Sequence, residues 1–194
     1  MTAYELGVDV SKWQVPDKID WLAIKEQGYS FIFARHSYGT SVDTQFLRHA
    51  LRASRAGFRV SAYQYLVPHN IRAQAMVALQ IAGDLSMPYV LDVEQKGLTK
   101  TMIDDWIAAF TNGNSNLIIY TSRFAWLQCY GNAIHDYGKK HELWVANYTQ
   151  APLPLLPNGW KDWQYWQFTS TGRLQGYNAD LDLNRCKAPW KAIK

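Results

Sequence analysis

The chain has 194 residues, 48% hydrophobic and 19% charged, with 20 basic against 16 acidic side chains and a net charge of +4. That length carries one domain with a sizeable core, and the composition is that of a globular chain rather than a disordered or fibrous one. The basic residues are dispersed, no nucleic-acid-binding pattern is present, and no apolar run approaches the ~20 residues that span a bilayer, so neither a nucleic acid nor a membrane is expected as partner.

In chain order, short β-rich runs predict strands at 6–10 (LGVDV), 31–36 (FIFARH), 59–66 (RVSAYQYL) and 88–94 (PYVLDVE). Further runs follow at 117–122 (LIIYTS), 143–148 (LWVANY), 163–168 (WQYWQF) and 180–184 (DLDLN). Helical patterns fill 19–27, 42–56, 70–86 and 99–111, the last capped by Thr99 or Thr101, with Gly28 and Gly57 where helices should stop. Beyond residue 122 helices become short or absent, and TQAPLPLLPNG (149–159) is a proline-punctuated loop. The alternation predicts an α/β fold with parallel strands: an irregular TIM-like β/α barrel with eight strands and fewer helices in its second half. Residues 1–187 form the barrel domain, and 188–194 a tail or shortened linker. Cys129 and Cys186 show no metal-site spacing, and their pairing is left open.

A β/α barrel gathers its working groups at the carboxyl ends of its strands. Here those ends carry Asp9, Arg35, Ser37, Tyr63, Tyr65, Asp92, Glu94, Tyr120, Ser122, Asn147, Gln167 and Asp182. Side chains alternate along a strand, so Asp92 and Glu94 are expected on one face with Val93 on the other. Two neighbouring carboxylates disfavour each other's charge, which is the arrangement that keeps one of them protonated for acid catalysis. Glycoside hydrolysis uses such a pair, and an i, i+2 spacing of ~6.6 Å is compatible with both retaining and inverting geometries. Coordination of a hard cation by Asp9, Asp92, Glu94 and Asp182 is the rival reading. The 12 tyrosines and 9 tryptophans suit stacking on sugar rings, or else simply an aromatic core. The five histidines show no pairing with a nucleophile, and no cofactor is called for.

In order along the chain, GVDVSKWQ (7–14), IDW (19–21), LDVE (91–94), IYTS (119–122), LWVANY (143–148), WQYWQF (163–168) and DLN (182–184) resemble glycoside hydrolase family 25, the Chalaropsis-type lysozymes found in bacteria, fungi and phage endolysins. The resemblance implies a modified β/α barrel that cuts the β-1,4 bond between N-acetylmuramic acid and N-acetylglucosamine. Its partner is the peptidoglycan glycan strand, and the chain is expected to act as a monomer. Carried over by position, Glu94 is the general acid, Asp92 supports charge on the sugar or orients its acetamido group, and Asp9 and Asp182 complete an acidic floor. Arg35, Tyr63, Tyr65, Tyr120, Asn147, Trp166 and Gln167 are the expected substrate-binding residues. A catalytically silent wall-binding or virion module on the same scaffold, and a glycosidase of chitin-like polymer, are the competing expectations.

Two positions depart from the family pattern. Arg35 is followed three residues later by Tyr38-Gly39 rather than Glu-Gly, and the third strand reads Ala62-Tyr63-Gln64-Tyr65 where AYHF is common. These are expected to alter fine specificity and pH optimum rather than the reaction. The N-terminus shows no basic and apolar leader, so the expected setting is the bacterial cell wall, periplasmic or extracellular, reached by a phage endolysin or by a chain shortened from a longer one.

Overall fold

The computed structural model describes residues 4–83, 85, 88–111, 117–133 and 135–187. The expected tail at 188–194 lies outside the described residues. Strand β1 (Tyr4–Val10) leads through a 3-10 turn (Pro16–Lys18) to helix α1 (Trp21–Glu26), followed by β2 (Tyr29–Tyr38) and the two-residue β3 (Ser41–Val42). Then come α2 (Phe46–Arg55), β4 (Arg59–Tyr65), α3 (Ile71–Ala82), β5 (Tyr89–Asp92), α4 (Lys100–Thr111), β6 (Leu117–Ser122) and α5 (Arg123–Tyr130). The chain continues with the single-turn α6 (Tyr137–Lys140), β7 (Glu142–Ala146), β8 (Tyr165–Leu174) and β9 (Tyr177–Lys187).

The sheet runs β1-β9-β8-β7-β6-β5-β4-β2 and closes through β1–β2, making an eight-stranded barrel with β3 hung on the end of β2. Strands β1, β2 and β4 to β8 pair in parallel around the barrel, whereas β9 is antiparallel to both β8 and β1, as β3 is to β2. The expected uniformly parallel order therefore fails at the last strand. Between β8 and β9 the chain turns at Gly176 (φ +102°) with no crossover helix, and a two-residue connection permits only an antiparallel return.

Local chemistry sets the helix ends. Asp20 Oδ1 accepts from the backbone N–H groups of Leu22 and Ala23 at 3.1 Å and caps α1. Of the two expected caps for α4 it is Thr99 that serves, accepting from Met102 N at 3.4 Å. Gly28 and Gly57 follow α1 and α2 at φ +93° and +79°, the left-handed geometry that ends a helix.

Two apolar layers follow from strand alternation. Inside the barrel lie Phe31, Phe33, Val90, Ile118, Tyr120, Trp144, Tyr165 and Cys186. Outside it, Val8, Ile32, Ala34, Leu91, Ile119, Val145 and Trp166 pack with helix residues such as Trp106 and Trp126. Most tryptophans are thus core, and among the described ones only Trp13, 73% exposed, stands in solvent. Cys129 and Cys186 are both free thiols.

Candidate active site

At the carboxyl ends of the parallel strands, the interior layer changes from aromatic to acidic. Phe31 and Phe33 are followed on the same face of β2 by Arg35, and Val90 on β5 by Asp92. Opposite them, Asp9 of β1 pairs across the strands with Asp182 of β9. Because β9 runs the other way, Asp182 reaches this rim from the middle of its strand rather than from its end.

Asp9 is the most heavily bonded of the four acids. Its Oδ2 accepts from Gln167 Nε2 at 2.9 Å and from Asn184 Nδ2 at 2.8 Å, and it also hydrogen-bonds to Asp182. Gln167 Oε1 in turn accepts from the hydroxyls of Tyr120 (2.9 Å) and Tyr148 (2.8 Å), and Asn184 Oδ1 from Trp144 Nε1 (2.8 Å). Asp92 is 4% exposed, its Oδ1 buried without a hydrogen-bond partner. Strand β5 ends at Asp92, short of the expected 94, and the chain is then clamped by Val93 N to Tyr120 O (2.8 Å) and Thr121 Oγ1 to Val93 O (2.7 Å). Glu94 follows, exposed at the mouth of the cleft.

Electrostatically all four acids are pushed upward. Burial, then the charges of Glu94 and Asp9, push Asp92 well above the usual carboxylate range, with Arg35 opposing. Burial, then the charge and hydrogen bond of Asp9, push Asp182 up to about 9. Burial also raises Asp9, against the lowering effect of its bonds to Asn184, Gln167 and Asp182. Glu94 is raised by desolvation from the protein around it and next by the charge of Asp9. Beyond desolvation, the charge that raises Glu94 is that of Asp9 across the barrel, while Glu94 in turn raises Asp92.

The expected substrate-binding residues separate into groups. Tyr63 and Tyr120 are at the heart of the site, their hydroxyls raised by burial and by the surrounding carboxylates. Tyr65 donates to Gln95 Oε1 at 2.8 Å and stacks on Tyr38, with ring centroids 4.8 Å apart and planes at 9°. Arg35 is buried and ion-paired with Asp43 at 3.0 Å, and Asp43 also accepts from Lys12 N and Gln45 N. Trp166 and Asn147 are not brought to the acids. Trp166 is 1% exposed on the outer face of β8, its indole N–H donating to Asn147 O at 2.7 Å, and Asn147 Oδ1 accepts from Leu155 N. Alternation explains this, since Gln167 points inward and its neighbour Trp166 must point out.

Asn184, Trp144, Tyr148 and Asp43 are the participants that strand-end reading missed. Asn184 was signalled by its place two residues after Asp182, on the same strand face. Of the two departures from the family pattern, Tyr38 reaches the rim as the outer ring of an aromatic pair. Gln64 faces the other way and is wholly buried toward the helices, so it bears on the scaffold rather than on pH optimum. Among the described residues no group of three or more His, Cys, Asp or Glu side chains is arranged to hold a metal ion. A cavity of about 1020 Å³ lined by His135, His141, Glu142, Trp160 and Gln164 lies by the amino ends of β7 and β8 and contains none of the acids.

Comparison with known proteins agrees with this fold. Lysozyme M1 from Streptomyces globisporus is 31% identical over 199 residues, covering 92% of this chain and 66% of the relative, so the chain spans about two thirds of that protein. A bacterial lysozyme from Streptomyces coelicolor superposes with a TM-score of 0.82 at 28% identity, covering 97% of this chain and 94% of the other. A family GH25 lysozyme from Aspergillus fumigatus gives 0.80 at 27% identity, with 96% and 95% covered. The family model described as "Glycosyl hydrolases family 25" matches residues 8–177, a span that holds Asp9, Asp92 and Glu94 within one barrel. The chain belongs to glycosyl hydrolases family 25 and is a glycoside hydrolase of the lysozyme type.

Proposed function

We propose that this chain hydrolyses the β-1,4 bond between N-acetylmuramic acid and N-acetylglucosamine in peptidoglycan, with Glu94 as the general acid. The observation that carries the reading is an exposed carboxyl, Glu94, raised by desolvation and by Asp9, beside a second carboxyl, Asp92, that is buried and pushed well above the usual carboxylate range. A general acid must hold its proton near the working pH and be reachable by the leaving oxygen. Of the four acids Glu94 is the exposed one, Asp182 being half-buried and Asp9 and Asp92 buried.

In this reading the proton of Glu94 passes to the glycosidic oxygen as the bond to C1 of the muramic acid breaks. The hydroxyl of a water ends on C1, and the remaining proton restores a carboxyl. Asp92 orients the acetamido group or supports charge on the ring, and Asp9 and Asp182 supply the acidic floor. Tyr63, Tyr65 and Tyr120 shape the cleft, and Tyr38 offers an exposed ring at its edge. The place of action is the bacterial cell wall, from the periplasm or from outside, and the enzyme acts as a monomer.

Incubating the purified protein with isolated cell walls tests this. Falling turbidity with new reducing ends on muramic acid is expected. Binding without clearing would make the chain a silent module, and reducing ends from chitin but not from walls would make it a different glycosidase.

A further inference from the structure

Resting on the muramidase reading, we infer that Gln167 and Asn184 are positioning residues that keep Asp9 ionised and leave the shared proton of the Asp9–Asp182 pair on Asp182. An amide side chain can be reversed end for end without changing shape, so its neighbours decide which end faces where. Trp144 settles the matter for Asn184. An indole N–H only donates, so the atom 2.8 Å from it is the Asn184 oxygen, and the amide nitrogen must face Asp9. Asp9 Oδ2 is thereby an acceptor. Gln167 must then present its own nitrogen to the same oxygen, which leaves its Oε1 to the hydroxyls of Tyr120 and Tyr148.

Two N–H groups converging on one carboxylate oxygen favour the anion, because bonds to a charged acceptor are roughly twice as strong as neutral ones. Among the described residues Asp182 receives no such donors; its hydrogen bond is with Asp9. Two adjacent carboxyls share one proton, and the member without donors retains it. The directions agree: every influence on Asp182 raises it, while three of those on Asp9 lower it. Facing Asp9 are Asp182 from β9, Asp92 and Glu94 from β5 and the residues just past it, Tyr63 from β4, Tyr120 from β6 and Tyr148 beyond β7; among the described residues the nearby cation, Arg35 of β2, is engaged by Asp43. The consequence reaches the acid itself. The charge of Asp9 is what raises Glu94 beyond desolvation, so the amide clamp holds the catalytic proton from a distance.

Two measurements test this. Gln167→Met removes the amide at nearly constant volume, and Tyr148→Phe, at an exposed position, loosens the clamp without threatening the fold. Expected for Gln167→Met is a loss of about tenfold in kcat with little change in KM. The alkaline limb of the pH profile should fall by about one unit as Glu94 loses the influence of a charged Asp9. Tyr148→Phe should move the limb in the same direction by less. A raised KM with an unmoved limb in both variants would make Gln167 a substrate contact and overturn the inference. The second measurement is carbon-13 NMR of labelled aspartate side chains, assigned through Asp9→Asn and Asp182→Asn. It should show Asp9 ionised and Asp182 protonated near neutral pH, and the reverse assignment overturns the inference. The NMR result needs no activity, so failure of the muramidase reading would appear separately, as wild-type protein that does not clear walls.

Discussion

Gln64 is wholly buried, and both ends of its amide are engaged. Its nitrogen lies within hydrogen-bond distance of Ser37 Oγ (2.7 Å), Gly39 O (3.0 Å) and Gln74 O (3.0 Å), while its oxygen accepts from Trp106 Nε1 at 2.7 Å. This one side chain ties β2, α3 and α4 to β4. Replacing it with leucine leaves the Trp106 indole N–H unpaired in the interior and takes this donor from Gly39 O and Ser37 Oγ, and each buried orphan costs about 1–3 kcal/mol. Gln64→Leu should therefore lower unfolding stability by about 2–4 kcal/mol in urea titrations while wall lysis by the folded fraction persists. The residue-level chemistry of the acids was legible because chemistry at strand ends is written in residue types. The direction of each side chain was legible only where alternation was followed strictly. Gln64 was expected to bear on pH optimum and Trp166 on substrate binding, but they alternate with Tyr63 and Gln167, and the pleat turns both outward.

At the scale of elements, β1 threads between β2 and β9 with almost no room inside. A Cβ on Gly7 would stand 2.3 Å from the Phe31 ring, at a position where the interior aromatic layer begins. Gly7→Ala should thus cost about 1–3 kcal/mol through overpacking, seen as a lower urea midpoint with the denaturant slope unchanged. The first half of the barrel was legible because its strands are continuous β-branched or aromatic runs separated by helical periodicity. Of the β8–β9 hairpin only the stretches 163–168 and 180–184 were. Its middle reads Thr169-Ser170-Thr171-Gly172-Arg173, with no apolar alternation to mark a strand, and its ladder is held by backbone pairing whose register shifts repeatedly. That hairpin presents Asp182 to Asp9 from the stretch 180–184, which did read as a strand. Helix α5 begins directly at the end of β6, capped by Ser122 through Ala125 N at 3.1 Å, and no linker composition announced it.

For the whole molecule, function and stability pull against each other through pH. In the folded chain Asp182 moves from an ordinary 3.8 up to about 9, so the native state keeps a proton that the unfolded chain releases. The stability linked to this group is complete below about pH 4 and is lost as pH rises towards about 9. Buried histidines set the other side. Burial lowers His36, His49 and His141 below their usual 6.5, so their contribution is present above that value and lost as pH falls beneath it. Melting temperature should decline in both directions, and Asp182→Asn should flatten only the alkaline decline. An alkaline decline as steep in the variant as in the parent would show that the acid cluster does not strain the fold.

The division of labour among the acids rests on Glu94, whose exposed position makes it replaceable without loss of core packing. The direct measurement is the rate at which purified peptidoglycan yields muramic acid reducing ends, read by mass spectrometry after borohydride reduction, for the parent and for Glu94→Gln at matched folded concentration. Removing a general acid should lower that rate by about 10²–10⁴-fold with the melting temperature preserved. A folded Glu94→Gln protein that releases the same ends at the parental rate would contradict the account.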